Sequence, residues 1–258
     1  MSVRFEIDGH VARVTIDRPE RMNAVDAETE AALEAAWSAI EADTSVRCVV
    51  LTGAGDRAFS AGADMKSGSG SSGLEYWAKQ NPNGFGGIGL RESLTVPVIA
   101  RVNGLALGGG MEMVLGCDIV IAAETARFGL PEAKVGRLPL DGGMVALQRL
   151  VPRNIAAGLM LTGRMMSAAD AAACGLANAV VPLEKLDEEV DAWVADILAC
   201  APLSLKAIKA TIRKTAHLSP REARAAQTPE LIAALTSQDQ DEGVLAFREK
   251  RAPVWQGK

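Results

Sequence analysis

Two glutamates and two glycine-rich segments are the residues of this chain whose types and spacing suit catalysis. Glu112 follows Asn103-Gly104-Leu105-Ala106-Leu107-Gly108-Gly109-Gly110-Met111 and stands in apolar company with Met113, Val114 and Leu115. Glu132 stands in Phe128-Gly129-Leu130-Pro131-Glu132-Ala133. Two carboxyls at one pocket divide labour as general acid and general base when burial or mutual repulsion raises one pKa toward neutrality. Each glutamate by itself also fits an exposed helix or turn charge, and spacing along the chain does not show that the two meet. Three consecutive glycines make a poor helix interior but suit a helix N-terminus whose free N–H groups face a ligand. A second small-residue segment, Ala58-Phe59-Ser60-Ala61-Gly62-Ala63-Asp64-Met65-Lys66, follows the Gly53-Ala54-Gly55 turn. The two segments form a candidate oxyanion or phosphate cradle; a closely packed strand-to-helix turn accounts for them equally well.

Other chemistries lack their equipment. Gly84-Phe85-Gly86-Gly87-Ile88-Gly89 matches G-x-G-x-x-G but ends a loop instead of linking a strand to a helix, as a dinucleotide site requires. The chain has no phosphate-loop, H-E-x-x-H or G-x-S-x-G motif. Its two histidines, His10 and His217, fall at a hairpin and after a helix and read as surface residues, which disfavours a Ser-His-Asp hydrolase.

The elements that must position these residues alternate between strands and helices. Residues 3–7 and 11–16 alternate in hydropathy around Asp8-Gly9, a hairpin pattern. Asp26 caps a predicted helix carrying Glu28 and Glu30 in its first turn and Leu33, Ala36, Trp37 and Ile40 on one face. Residues 46–51, 96–100 and 118–122 are short apolar runs, expected as strands covered on both faces. Strands separated by crossovers predict an α/β fold with ligand sites at strand ends. Residues 67–89 are rich in Gly, Ser and Asn and are expected to form a mobile surface loop. Helices are expected over 144–150, 155–161, 168–174, 183–198 and 203–215, and the charged, amphipathic last forty residues pack on the body or reach a neighbouring subunit.

With 258 residues, 48% of them hydrophobic and 23% charged, the chain has ample material for a core. The net charge of −5 disfavours general nucleic-acid binding, so an anionic ligand needs local cations or helix N-termini. No apolar run reaches bilayer length and the N-terminus has no export-signal pattern, so the cytoplasm is the expected location. Cys48, Cys117, Cys174 and Cys200 are widely spaced, which argues against a zinc site or disulfide framework and for small core residues.

Several stretches in order, IDRPERMNAV, VRCVVLTGAGDRAFSAGADMK, PVIARVNGLALGGGMEM, CDIVIAAETARFGLPEAKVG, LTGRMMSAADAAACGLANAVV and DEGVLAFREKRAPVW, resemble the enoyl-CoA hydratase/isomerase (crotonase) superfamily from end to end. GGGMEM with LPEAKVG, the loop around Pro139 and the tail EKRAPVWQGK are similar to its carnitinyl-CoA dehydratase (crotonobetainyl-CoA hydratase) branch. The resemblance implies a crotonase (ClpP/crotonase-like) spiral of ββα units over residues 1–195, with a helical region over 196–258 that mediates trimers, commonly paired as hexamers, and closes over CoA. It implies oxyanion-hole donors at the N–H groups of Ala63 and Gly109, with Glu132 giving a proton to the α carbon and Glu112 activating water. It also implies CoA contacts at Arg21, Ala61, Met65, Lys66, Phe247 and Lys250. The expected activity is that of a hydro-lyase of fatty-acid metabolism (β-oxidation), acting on a 2-enoyl-CoA with no cofactor beyond the substrate's coenzyme A, no metal, no nucleic acid and no membrane. A double-bond (delta) isomerase and a noncatalytic CoA- or RNA-binding scaffold are the alternatives. One departure stands out: Pro139-Leu140-Asp141-Gly142-Gly143 replaces the usual Pro-Gly-Ala-Gly-Gly. The resemblance implies that Leu140 adds a side chain at the position beside the reacting water, and Asp141 either faces a polar or cationic acyl group or, as the more ordinary reading, sits on the surface.

Overall fold

The computed structural model describes residues 2–66, 73–79 and 81–258. Strands β1 (Val3–Asp8) and β2 (Val11–Ile16) form the expected antiparallel hairpin, with Asp8 opposite Val11. Asp26 caps α1 (Ala27–Ala42), its side chain accepting from the Thr29 N–H at 2.9 Å. The helix buries Leu33, Ala36, Trp37 and Ile40, the face that the helical spacing marks.

Three successive turns of chain then each place one strand in a large sheet and one in a small sheet. The first turn is β3 (Cys48–Gly53) and β4 (Ala58–Ser60), followed by the short helix α2 (Gly73–Ala78). The second is β5 (Val98–Val102), β6 (Leu105–Leu107) and α3 (Gly109–Gly116). The third is β7 (Ile119–Ala123) and β8 (Arg127–Gly129), followed by a 3-10 turn at Glu132–Val135 and by α4 (Gly143–Leu150). Then come α5 (Arg153–Thr162), β9 (Met166–Ser167), α6 (Ala168–Ala173), β10 (Ala179–Val181), α7 (Leu186–Ala199), α8 (Pro202–Lys214), α9 (Pro220–Ala225), α10 (Pro229–Leu235) and α11 (Gln238–Glu249). The sheets run β1-β2-β3-β5-β7-β10 and β4-β6-β8-β9, and every pairing from β2 to β10 in the large sheet is parallel. This repeated ββα winding is the one the sequence resemblance implies.

The large sheet is covered on both faces, which is why its strands read as near-continuous apolar runs. Val49, Leu51, Val98, Ala100 and Val102 face the main core with Trp37, Phe59, Met111 and Phe128. Cys48, Val50, Ile99 and Ile121 point the other way and pack with Leu186, Val190, Val194 and Ile197 of α7. The division expected after residue 195 falls within that helix. Buried Lys209 of α8 ties the following helices to the core, donating to the Val96 carbonyl at 2.6 Å and pairing with Asp118 at 2.7 Å.

Two expectations need correction. Of the loop expected over 67–89, residues 67–72 and 80 lie outside the described residues, but 73–78 form α2 and Phe85, Gly86, Gly87 and Ile88 are buried. The Trp37 indole N–H donates to the Gly86 carbonyl at 2.7 Å, and a side chain on Gly86 would meet Met113. At residues 84–89 the glycines reflect close packing of backbone against α1 and α3 rather than mobility. The cysteines are all free, but Cys200 is exposed, so it is not a core residue. Among the described residues no helix is long and apolar enough to cross a membrane.

Candidate active site

The spiral brings the two small-residue segments into direct contact. A side chain on Gly62, whose φ is +83°, would lie 2.8 Å from both the Gly109 nitrogen and the Leu107 carbonyl oxygen. Only glycine permits both that backbone conformation and that approach. Val25 donates to the Gly62 carbonyl and accepts from the Asp64 N–H, so Ala63 is held between two backbone bonds (2.8 and 2.9 Å). The Ala63 N–H itself has no acceptor among the described residues, nor does the N–H of Gly109, the first residue of α3. Two free backbone donors, one aided by a helix N-terminus, are the equipment of an oxyanion hole.

Both glutamates border that hole. Glu112, in the first turn of α3, is 3% exposed. Its Oε1 accepts from the backbone N–H of Asp141 at 2.9 Å and of Gly143 at 2.8 Å. Burial raises its pKa to about 8, with the carboxyls of Asp141 and Glu132 adding repulsion. Glu132 lies against the glycines: a side chain on Gly108 would sit 3.2 Å from its Oε1. Its Oε2 is buried without a hydrogen-bond partner, and burial raises its pKa. Such an orphaned acceptor is costly in a folded protein unless a ligand or water uses it. Asp141 is only 7% exposed, which overturns the surface-loop reading. It accepts from the Tyr76 hydroxyl of α2, and its carbonyl abuts Gly84 and Gly89. Burial also raises Glu30 of α1 to about 7, with Asp141 contributing. Leu140 is half-buried in the same loop.

The expected CoA contacts distribute differently. Ala61 is half-buried and its N–H donates to the Met22 carbonyl at 3.0 Å, while Arg21, Met65 and Lys66 are exposed near the hole. Phe247, 86% exposed, and Lys250 lie at the far end of the chain on and just after α11. No hydrogen bond or ion pair among the described residues links them to the 61–66 segment. From the sequence Glu30 has only a helix first-turn role and Tyr76 has none, although Tyr76 is the chain's only tyrosine and sits in an otherwise Gly/Ser-rich stretch.

Comparison with known proteins follows the same lines. Residues 6–258 match the family model described as enoyl-CoA hydratase/isomerase. The chain belongs to the enoyl-CoA hydratase/isomerase family. It is 38% identical over 261 residues to the carnitinyl-CoA dehydratase of Salmonella typhi, covering 100% of this chain and 99% of that one. It is 36% identical to the carnitinyl-CoA dehydratase of Shigella flexneri, with the same coverage. Among solved structures it resembles an enoyl-CoA hydratase from Bacillus anthracis (TM-score 0.91, 30% identity, 100% of both chains). It also resembles one from Mycobacterium tuberculosis H37Rv (TM-score 0.89, 33% identity, 100% of this chain and 99% of that one). The fold class expected for family members is therefore the one observed.

Proposed function

We propose that this chain is a hydro-lyase that adds water reversibly across the double bond of a 2-enoyl-CoA thioester. The observation that carries the reading is the carboxyl pair, buried Glu112 on two backbone donors and half-buried Glu132 with an orphaned, buried oxygen, beside the free N–H groups of Ala63 and Gly109. In the dehydration direction, ionised Glu132 removes the α proton and the thioester oxygen gains enolate character, stabilised by the two N–H groups. Protonated Glu112 then gives its proton to the leaving β-hydroxyl, which departs as water, and hydration runs the same steps backward. Like charges in one low-dielectric pocket favour a pair that carries a single proton, and the raised pKa of Glu112 suits it to hold that proton at rest.

A double-bond isomerase needs one competent carboxyl, so the second, built in by two N–H bonds, favours the hydro-lyase; a noncatalytic scaffold needs neither. Within hydro-lyase chemistry, the carnitinyl-CoA dehydratase reading is favoured by buried Asp141 and nearby Glu30, because extra negative charge at the acyl end suits a quaternary ammonium group. Arg21, Met65 and Lys66 are proposed to receive the CoA nucleotide, and Phe247 and Lys250 to complete that site from a neighbouring subunit of a homotrimer or dimer of trimers. Exposed Ile208, Ile212 and Phe247 on the C-terminal helices support such an assembly. A cytoplasmic place in acyl-CoA metabolism agrees with this chemistry. The test is incubation with crotonyl-CoA and crotonobetainyl-CoA, following the conjugated thioester absorbance and product mass. Gain of one water on either substrate supports hydration and chooses between the two readings; no water gained on either, with CoA bound, refutes both.

A further inference from the structure

One interaction at the site is unused by the chemistry just described. Tyr76 of α2 reaches the catalytic loop through the hydrogen bond from its hydroxyl to Asp141 Oδ2. Leu74 and Trp77 of the same helix are 73% and 63% exposed, so α2 contributes little burial of its own. Asp141 is gripped at three points. Its carboxylate accepts from Tyr76, its carbonyl abuts Gly84 and Gly89, and its N–H donates to Glu112 Oε1 at 2.9 Å. The loop that presents two N–H donors to Glu112 is thus fixed by a side chain that, among the described residues, hydrogen-bonds neither the hole nor Glu132.

We propose that Tyr76 and Asp141 are a positioning pair for the reaction: Tyr76 fixes the Asp141 carboxylate, and Asp141 acts on Glu112 through its backbone N–H and through its charge. The inference rests on the hydro-lyase reading for its kinetic consequence but not for its electrostatic one. The titratable groups facing Glu112 come from three other elements, Glu132 on the 3-10 turn, Asp141 on the loop before α4 and Tyr76 on α2, with Glu30 of α1 beyond Asp141. No hydrogen bond among the described residues joins Asp141 to Glu132, so the influence of Asp141 on Glu112 is separable by substitution.

Two conservative variants divide the two effects. Asp141→Asn keeps an oxygen acceptor for Tyr76 and removes the charge, whereas Tyr76→Phe keeps the charge and removes the grip. The Glu112 carboxyl is read directly in the full-length protein, as the infrared carbonyl band that Glu112→Gln abolishes, titrated against pH. Asp141→Asn is expected to lower that midpoint by on the order of one pH step, and Tyr76→Phe not to lower it. In turnover of whichever enoyl-CoA is hydrated, Tyr76→Phe is expected to lower kcat about tenfold with little change in KM. Adding Asp141→Ala to Tyr76→Phe is expected to lower kcat much less than the two single losses multiplied, because both break one contact. An unmoved Glu112 midpoint in Asp141→Asn overturns the electrostatic half, and full kcat in Tyr76→Phe overturns the positional half. A wild-type protein that hydrates nothing overturns the hydro-lyase reading instead, while the infrared midpoint still decides the proposal. A merely structural contact would lower thermal stability and leave that midpoint where it was.

Discussion

Replacing Glu112 by glutamine is expected to make the protein less active and more stable, with the gain in stability growing with pH. Glutamine retains an oxygen that accepts from the Asp141 and Gly143 N–H groups, so the loop keeps its place. What disappears is a carboxyl whose pKa is about 8 in the folded chain against 4.5 ordinarily. An acid with a raised folded pKa binds more protons folded than unfolded, so its cost is absent below pH 4.5, grows as pH rises, and is complete once pH passes 8. At 1.36 kcal/mol per pKa step, that cost is under about 1 kcal/mol at pH 5 and on the order of 5 kcal/mol above pH 8. For a chain of this size each kcal/mol corresponds to roughly 2–4 °C in Tm. Scanning calorimetry at fixed protein concentration is therefore expected to show nearly equal Tm values for Glu112→Gln and wild type at pH 5, and a variant ahead by about 10 °C at pH 8.5. Loss of a general acid-base group lowers kcat by about 10²- to 10⁴-fold. A Tm difference that is flat across pH would refute the desolvation argument, and wild-type turnover would remove Glu112 from the mechanism.

Other outcomes follow from the same geometry. The rate in either direction is expected to fall above about pH 8 as the carboxyl pair loses its one proton, read as the basic limb of the kcat profile; a rate flat to pH 9.5 contradicts it. Gly62→Ala places a carbon 2.8 Å from the Gly109 nitrogen at a φ of +83°, so it is expected to spread the oxyanion hole and lower kcat at least about 10²-fold; retained kcat shows that the two segments yield without harm. Arg91, 3% exposed, bonds Glu34, Glu41 and the Gly87 carbonyl. Arg91→Met is expected to cost about 3 kcal/mol in urea unfolding, since Glu34 and Glu41 lose their cation and keep only the neutral donors Asn83 and Ser93, and a loss below about 1 kcal/mol speaks against a buried network. Lys66→Ala and Lys250→Ala are each expected to raise KM for the CoA thioester more than they lower kcat; the reverse pattern removes them from CoA binding.

Most of the elements were legible because their patterns are local. The Asp8-Gly9 turn, the Asp26 cap and the covered strands depend on residues a few positions apart, and each lies within about two residues of its expected place. The short strands of the small sheet were not read: β4, β6 and β8 have three residues each, too few to show a period, and exist because neighbours along the spiral supply their hydrogen bonds. Residues 84–89 depart from the expected loop for a related reason. Glycine marks both mobile loops and backbone packed too tightly for side chains, and only the positions of Trp37 and Met113 decide which.

The candidate site divides along the same line. Residue types alone marked Glu112, Glu132 and the glycines at the start of α3, because an acid among apolar residues and a run of glycines are each expensive without a use. Whether Glu112 is held by two N–H donors, whether Glu132 keeps an orphaned oxygen and whether Asp141 turns inward are long-range facts. Glu112 and Gly143 are brought together by two turns of the spiral, and Tyr76 reaches Asp141 from 65 residues away. The sequence by itself therefore marked the residues suited to the chemistry and the family the chain belongs to. Only the tertiary structure decided which carboxyls are desolvated and coupled, because a pKa is set by the dielectric and charges around a group, and those are assembled by chain segments that no local pattern connects.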